Sequence, residues 1–128
     1  MHRRNLLAGA AATSLLATFV SARTQAQDGT VDLEKLPALM GGDFATVTSQ
    51  LALRKGTKPV VKAFAQLEID EQAAVAAAFG TRPGAAGLRP DHALIVQRLE
   101  AADGAAFDAM YVDGQILGHR ELLRIHRL

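Results

Sequence analysis

Apolar residues recur at intervals of three and four along a first stretch of the chain, the spacing typical of a helix with one apolar face. The members of this stretch are Leu33, Leu36, Met40, Phe44, Val47 and Leu51. We expect Gly41 and Gly42 to break the stretch into a loose initial turn and a helix proper. Asp43 is a typical N-cap residue for that helix, and Gly56 with Thr57 marks its end.

Prolines and glycines divide the rest of the chain into three more helices. A proline opens each of two predicted helices, over residues 59–79 and 90–102, because proline is favoured in a first turn. Three glycines and a proline make residues 80–87 a loop, and a fourth helix follows from about residue 105 to the end. No stretch shows the two-residue alternation of a strand, so the sequence predicts an all-α fold.

The second helix gathers its apolar residues into one arc when about 100° is counted per residue. The arc holds Val60, Val61, Phe64, Leu67, Ala74, Val75, Ala78 and Phe79. Glu68 and Glu71 fall inside the same arc, and Gln72 lies at its edge. The sequence therefore predicts that two glutamates of this helix point into the core.

The last helix carries two apolar stripes on roughly opposite sides. One stripe holds Phe107, Met110, Tyr111, Leu117, Leu122 and Ile125, and the other holds Val112, Ile116 and Leu123. Between them lie four polar residues, Asp108, Gln115, His119 and His126. A helix that is apolar on two sides is expected to pack against neighbours on two sides.

The first 26 residues have the three parts of a secretory signal peptide: basic residues, an apolar run, and a small-residue cleavage site. The apolar run of roughly 15 residues is shorter than the about 20 that a membrane-spanning helix needs. Arg3 and Arg4 resemble the twin-arginine export signal, although the general secretory route stays open. We expect cleavage near Ala26 and a location in the bacterial periplasm or outside the cell.

Cleavage leaves residues 27–42 as a leader with the loose initial turn, and residues 43–128 as one helical-bundle domain. It also removes three arginines and no acid, so basic residues fall from 14 to 11 against 13 acidic ones. This mildly acidic chain with 5% aromatic residues does not fit a nucleic-acid-binding protein. The lack of cysteine excludes disulfides, thiolate metal sites and cysteine nucleophiles.

Two motifs carry a resemblance to a known family. Val-Lys-Ala-Phe-Ala-Gln at residues 61–66 is followed by Phe-Asp-Ala-Met-Tyr at residues 107–111, and then by His119. In this combination the chain resembles the bacterial family called domain of unknown function 4142, over residues 41–128. The resemblance implies an exported protein, often labelled an outer-membrane protein, with an antiparallel, ferritin-like, up-down helical bundle. It implies no established reaction.

The chain departs from that family pattern in two places. Members usually have an Asp-His pair where this chain has Glu71 and Gln72. They also usually continue through a further long helix, so the resemblance implies a bundle without its last helix. We expect the apolar stripe with Ile116, Leu123 and Leu128 to be exposed, unless a second copy or an envelope protein covers it.

Polar residues on the predicted buried faces are the candidates for a functional site. If the second and last helices are neighbours, a buried polar network is expected from Glu68, Glu71, Gln72, Gln115 and His119. Di-iron bundles use inward carboxylates and histidines, and the candidate ligands for such a site are Glu68, Glu71, His119 and Glu121. The chain has no Glu-x-x-His motif, which argues against a full set of ligands. His92 is expected to be exposed to solvent at the start of its helix.

These patterns lead to two functional hypotheses. The first is a non-catalytic binding or assembly module of the cell envelope, which buries its apolar stripes against a second copy or a protein partner. The alternative is a ferritin-like metal-binding protein or oxidase with iron, manganese or zinc held by carboxylates and histidine. We expect no nucleic-acid partner, no cofactor in the first case, and no membrane association beyond the signal peptide.

Overall fold

The structure, a computed structural model, describes residues 33–127. Four helices follow one another: α1 (Leu36–Lys55), α2 (Pro59–Ala78), α3 (Pro90–Ala101) and α4 (Gly104–His126). This part of the chain holds no strand, which confirms the predicted all-α class. The predicted signal peptide and the leader residues 27–32 lie outside the described residues.

The helix boundaries follow the prolines and glycines of the sequence. Pro59 and Pro90 each begin a helix, as predicted, because their missing N–H groups have no bond to lose in a first turn. Gly80 follows α2 with φ 74°, a left-handed conformation that glycine adopts without strain. Among the described helices, none is both long enough and apolar enough to cross a membrane.

Contacts between helix ends give the direction of each helix. The Lys35 ammonium lies 5.6 Å from the centre of the Phe79 ring, which joins the start of α1 to the end of α2. Lys55, at the end of α1, pairs with Asp103 before α4 at 3.3 Å. It also donates to the Glu100 carbonyl near the end of α3 at 2.6 Å. The four helices therefore run up, down, up and down.

α1 is the central helix, because α2, α3 and α4 all pack against it. Most of its residues between Leu39 and Ala52 are buried, including polar ones. The apolar core forms around it from Phe44, Leu51, Ala52, Val61, Ala65, Val96, Leu99, Phe107 and Tyr111. This arrangement sets the positions of all side chains discussed below.

The predicted break at Gly41 and Gly42 is wrong, because α1 begins at Leu36 and passes through both glycines. Neighbouring helices come too close there for a side chain. A Cβ atom added to Gly41 would lie 2.9 Å from Leu122 of α4, and one added to Gly42 would lie 2.7 Å from Gln72 of α2. These glycines serve helix packing, although a glycine pair is also typical of a turn.

The predicted N-cap role of Asp43 is also wrong, since this residue lies inside α1 and is buried. Its carboxylate accepts backbone N–H bonds from Gly84, Ala86 and Gly87 at 2.6, 3.0 and 2.8 Å. Gly84 and Gly87 have φ of 91° and 80°, the left-handed region that favours glycine. One buried carboxylate thus holds the loop between α2 and α3 in place.

The buried face of α2 also differs from the predicted one. Its buried residues are Val61, Ala65, Glu68, Gln72 and Ala76. Val60 and Leu67, which the helical arc places in the core, are 71% and 67% exposed. The alanines allow α2 to approach α1 closely, and the larger apolar side chains are turned toward a neighbouring open face of the bundle.

We predict that Asp43→Ala lowers the free energy of unfolding by about 2–3 kcal/mol, because three N–H groups lose a charged acceptor. Urea unfolding followed by circular dichroism measures this loss. Asp70→Ala is the matched control, since Asp70 accepts only an exposed bond from Gln66 within α2, and it should cost less than about 0.5 kcal/mol. An equally small effect of Asp43→Ala would show that the carboxylate does not hold the loop.

Candidate functional site

An open groove lies between α2 and α4. Both helices pack on α1, and they make few contacts with each other. The groove has a volume of about 450 Å³ and is lined by Val60, Val61, Phe64, Tyr111, Val112, Gln115, Ile116 and His119. Its walls are therefore mainly apolar, and its polar side chains come from the middle of α4.

Glu68 and His119 join the two helices across the floor of this groove. His119 Nε2 lies 3.2 Å from Glu68 Oε1, and His119 Nδ1 lies 2.7 Å from the Gln115 carbonyl oxygen. A carbonyl only accepts, so Nδ1 carries a proton and donates it. Nε2 and the carboxylate oxygen then need one further proton between them, either on His119 as an imidazolium or on Glu68 as a carboxylic acid.

Burial raises the pKa of the Glu68 carboxyl, because the charged form loses its water. The charge of His119 lowers it in part, and the neighbouring charge of Glu71 raises it further. The side-chain amide of Gln72, buried one turn further along α2, also lowers the pKa of Glu68, although it makes no hydrogen bond of normal length and angle to Glu68 Oε2. The Glu68 side chain is only 4% exposed, so its carboxyl group is poorly accessible to solvent.

A second polar row lies deeper, where α4 meets α1. The Tyr111 hydroxyl and Ser49 Oγ are 2.7 Å apart. Gln115 Nε2 donates to Thr48 Oγ1 at 2.7 Å, and Thr48 in turn donates to the Phe44 carbonyl at 2.8 Å. These bonds satisfy buried polar groups of α1. Among the described residues, Gln115 Oε1 and Glu68 Oε2 are buried and accept no hydrogen bond.

The structure brings together four of the five residues predicted for the polar network: Glu68, Gln72, Gln115 and His119. Glu71 does not join them, because it lies on the exposed side of α2. The prediction that it points inward is wrong. Small residues, not the large apolar ones, decide which side of α2 meets α1, and this choice turns Glu71 outward.

Glu121, predicted as a fourth metal ligand, faces α3 instead of this groove. Its carboxylate lies 3.0 Å from His92 Nε2 and 3.3 Å from Arg89 Nη1. His92 was expected to be exposed, but it is fully buried and its ring stacks on Phe44 at 4.2 Å. No local sequence signal distinguishes this histidine from an exposed one, because its partners come from α1 and α4.

The predicted ligands Glu68, Glu71, His119 and Glu121 thus do not gather at one point. In the described part of the chain another group could hold a cation, with ligand atoms of Asp91, His92 and Glu121 within 4.8 Å of one another. The Arg89 guanidinium already pairs with both carboxylates of this group, at 2.7 Å to Asp91. It supplies the positive charge that the two acids need.

Comparison with known proteins identifies the family of this chain. A family model described as a domain of unknown function, DUF4142, matches residues 24–127. The chain belongs to the DUF4142 family. A search of curated proteins and a search of solved structures each found no significant match. The groove and its floor are the features of this DUF4142 domain that bear on its function.

We predict that Tyr111 ionises with a midpoint of about 12, because burial raises its pKa from 10.0 and the Glu68 charge adds to the shift. The bond with Ser49 lowers the pKa only in part. Tyr111 is the single tyrosine of the chain, and there is no tryptophan, so absorbance at alkaline pH reports this residue alone.

The raised pKa also sets the pH dependence of stability. Stability from the protonated hydroxyl is complete below the unfolded-state pKa near 10 and is lost as pH rises through the folded-state value. The chain unfolded in guanidinium is the reference and should titrate near 10. A midpoint near 10 in a chain that is still helical by circular dichroism would contradict the burial of this hydroxyl.

Proposed function

We propose that this domain is a binding module that takes an amphipathic helix of a protein partner into the groove between α2 and α4. The observation that carries the proposal is the groove itself: two parallel helices stand apart on one side of a central helix and present apolar side chains across the gap. Proteins that bind amphipathic helices use grooves of this kind.

The walls of the groove leave large apolar side chains partly in water. Val60 and Phe64 of α2, and Val112 and Ile116 of α4, are 39–71% exposed. Single exposed apolar residues are common on proteins, but these four line one concave surface. Burying them against an apolar partner would be favourable by about 25 cal/mol for each Å² removed from water. A contiguous apolar surface of this kind supports a binding role.

The shape of the gap favours a helix as the occupant. In a square four-helix bundle, each helix contacts two neighbours and faces a third across the diagonal. α2, α1 and α4 are placed like three such corners, while α3 packs elsewhere on α1 and α4, and the groove lies where the fourth corner would be, next to both α2 and α4. A helix seated there would run parallel to α1 and pack on its two neighbours at an interaxial distance of about 8–10 Å.

We propose binding and not catalysis as the role because the polar groups of the groove floor are mostly bonded to one another. His119 donates a hydrogen bond to the Gln115 carbonyl, and the Gln115 side chain donates one to Thr48. The walls above these residues are apolar. Together with the predicted signal peptide, this favours an assembly function in the bacterial cell envelope. The domain would there join a partner through one of the partner's helices.

A displayed library of amphipathic helices tests the proposal. Each member is about 18 residues long, enough to form a helix on binding, with apolar residues at i, i+4, i+7 and i+11. We expect selection on the protein to enrich helices whose binding falls by at least about tenfold with Ile116→Lys, since a charge then projects into the groove. Val60→Lys, on the opposite wall, should have the same effect.

The matched control is Leu94→Lys, which places the same charge on an exposed leucine of α3 that does not line the groove. It should leave binding within about twofold of the unmodified protein. All three substituted residues are exposed, so each variant should retain its helical circular dichroism. The proposal would be overturned if no selected helix bound the unmodified protein and lost its binding to the Ile116→Lys and Val60→Lys variants.

A further inference from the structure

We propose that the helix bound in this groove carries a lysine or arginine that pairs with Glu68 and Glu71. This inference rests on the proposed function and adds the chemistry of the partner. It follows from the charges and the unfilled hydrogen-bond acceptors at the end of the groove where Glu68 meets His119.

Two buried acceptors lie at this end of the groove. Glu68 and Gln115 are 3% and 4% exposed, and Glu68 Oε2 and Gln115 Oε1 have no hydrogen-bond partner among the described residues. Leaving a buried acceptor without a donor costs about 1–3 kcal/mol, and more when it is charged. His119 Nε2 pairs only with the other oxygen of the Glu68 carboxylate, Oε1. A donor from a bound partner would complete the Glu68 carboxylate.

The negative charge on the α2 side of the groove comes from Glu71, because Glu68 and His119 with their shared proton are neutral together. Glu71 lies one turn from Glu68 on the exposed part of α2, close enough to raise the pKa of Glu68. Among the described residues, no arginine of α4 or its C-terminus forms an ion pair with Glu68 or Glu71. At about 100° per residue, Arg120 and Arg124 lie roughly 100° and 140° around α4 from His119. Arg127, at roughly 80°, lies about 12 Å further along the helix axis. A bound partner is therefore expected to supply the positive charge that pairs with these glutamates.

A long basic side chain suits this position better than a short donor. Lysine and arginine lay their methylene stems along apolar walls while their charged ends reach a carboxylate. Phe64 and His119 line the groove beside Glu68, with ring centres 6.4 Å apart. Neither of these two residues is fully buried, so their side chains have room to move aside for the incoming stem. Arginine adds several donors in one planar group, enough for the neighbouring carboxylates of Glu68 and Glu71.

The test repeats the helix selection with one mid-helix position on the apolar face randomised to all residue types. The selection is run on three proteins: the unmodified protein, the double variant with Glu68→Gln and Glu71→Gln, and the single variant Glu71→Gln. The control variant is Glu100→Gln, which removes a carboxylate from the exposed side of α3. We expect lysine and arginine to be enriched at least about fivefold on the unmodified protein and on the control.

The enrichment should disappear on the double variant and fall on Glu71→Gln, which changes an exposed residue and cannot disturb the core. Fluorescence anisotropy then compares one selected peptide with its citrulline analogue, which keeps the shape of arginine without its charge. Citrulline should weaken binding about tenfold to the unmodified protein and less than about twofold to the double variant.

Helices that bind the groove with no preference for a basic residue would overturn this inference and leave the proposed function standing. A basic preference that persists on the double variant would likewise overturn the inference alone. Failure to select any helix sensitive to Ile116→Lys would overturn both.

Discussion

Burial of α1 by three other helices is the constraint on which the rest of the structure depends. A buried helix needs room for close neighbours, and it needs partners for its polar side chains. Gly41 and Gly42 provide the room where Leu122 and Gln72 approach. The polar side chains are satisfied in different ways, since Asp43 binds the loop before α3 while Thr46 donates back to the Gly42 carbonyl at 2.9 Å.

The same constraint produces the groove. α2 turns a face of small and polar residues toward α1, and α4 turns Phe107 and Tyr111 toward it together with glycines and polar residues. The remaining large apolar residues of both helices lie at the sides. Because both helices pack on α1 and only weakly on each other, these side chains face the gap between them. Glu68 and His119 bridge the gap at its floor. The site is thus a by-product of how the central helix is packed, with polar groups at its base and apolar walls above.

Much of the fold was predictable from sequence, because prolines and glycines mark helix ends through local backbone effects. The start of α2 and α3, the loop after α2 and the four-helix count all follow from such signals. The prediction at Gly41 and Gly42 was wrong because the same residue type also serves close helix packing. Only contacts with distant residues distinguish the two uses.

The candidate site was predictable in part, for a related physical reason. Helical periodicity shows which residues share a face, and it therefore grouped Glu68 with Gln72 and, on the last helix, Gln115 with His119. It does not show which face a neighbour covers. The alanine-rich face of α2 is buried, so Glu71 is turned outward. The pairing of Glu121 with His92 joins α4 to α3, and no spacing within one helix reports it.

The most direct test of whether the groove between α2 and α4 binds a helix is NMR of the methyl-labelled protein with a selected peptide. We expect intermolecular nuclear Overhauser effects from the peptide to the methyl groups of Val60, Val112 and Ile116, on both walls of the groove. Effects confined to methyl groups elsewhere, such as those of Leu94 on α3, would contradict helix binding in the groove.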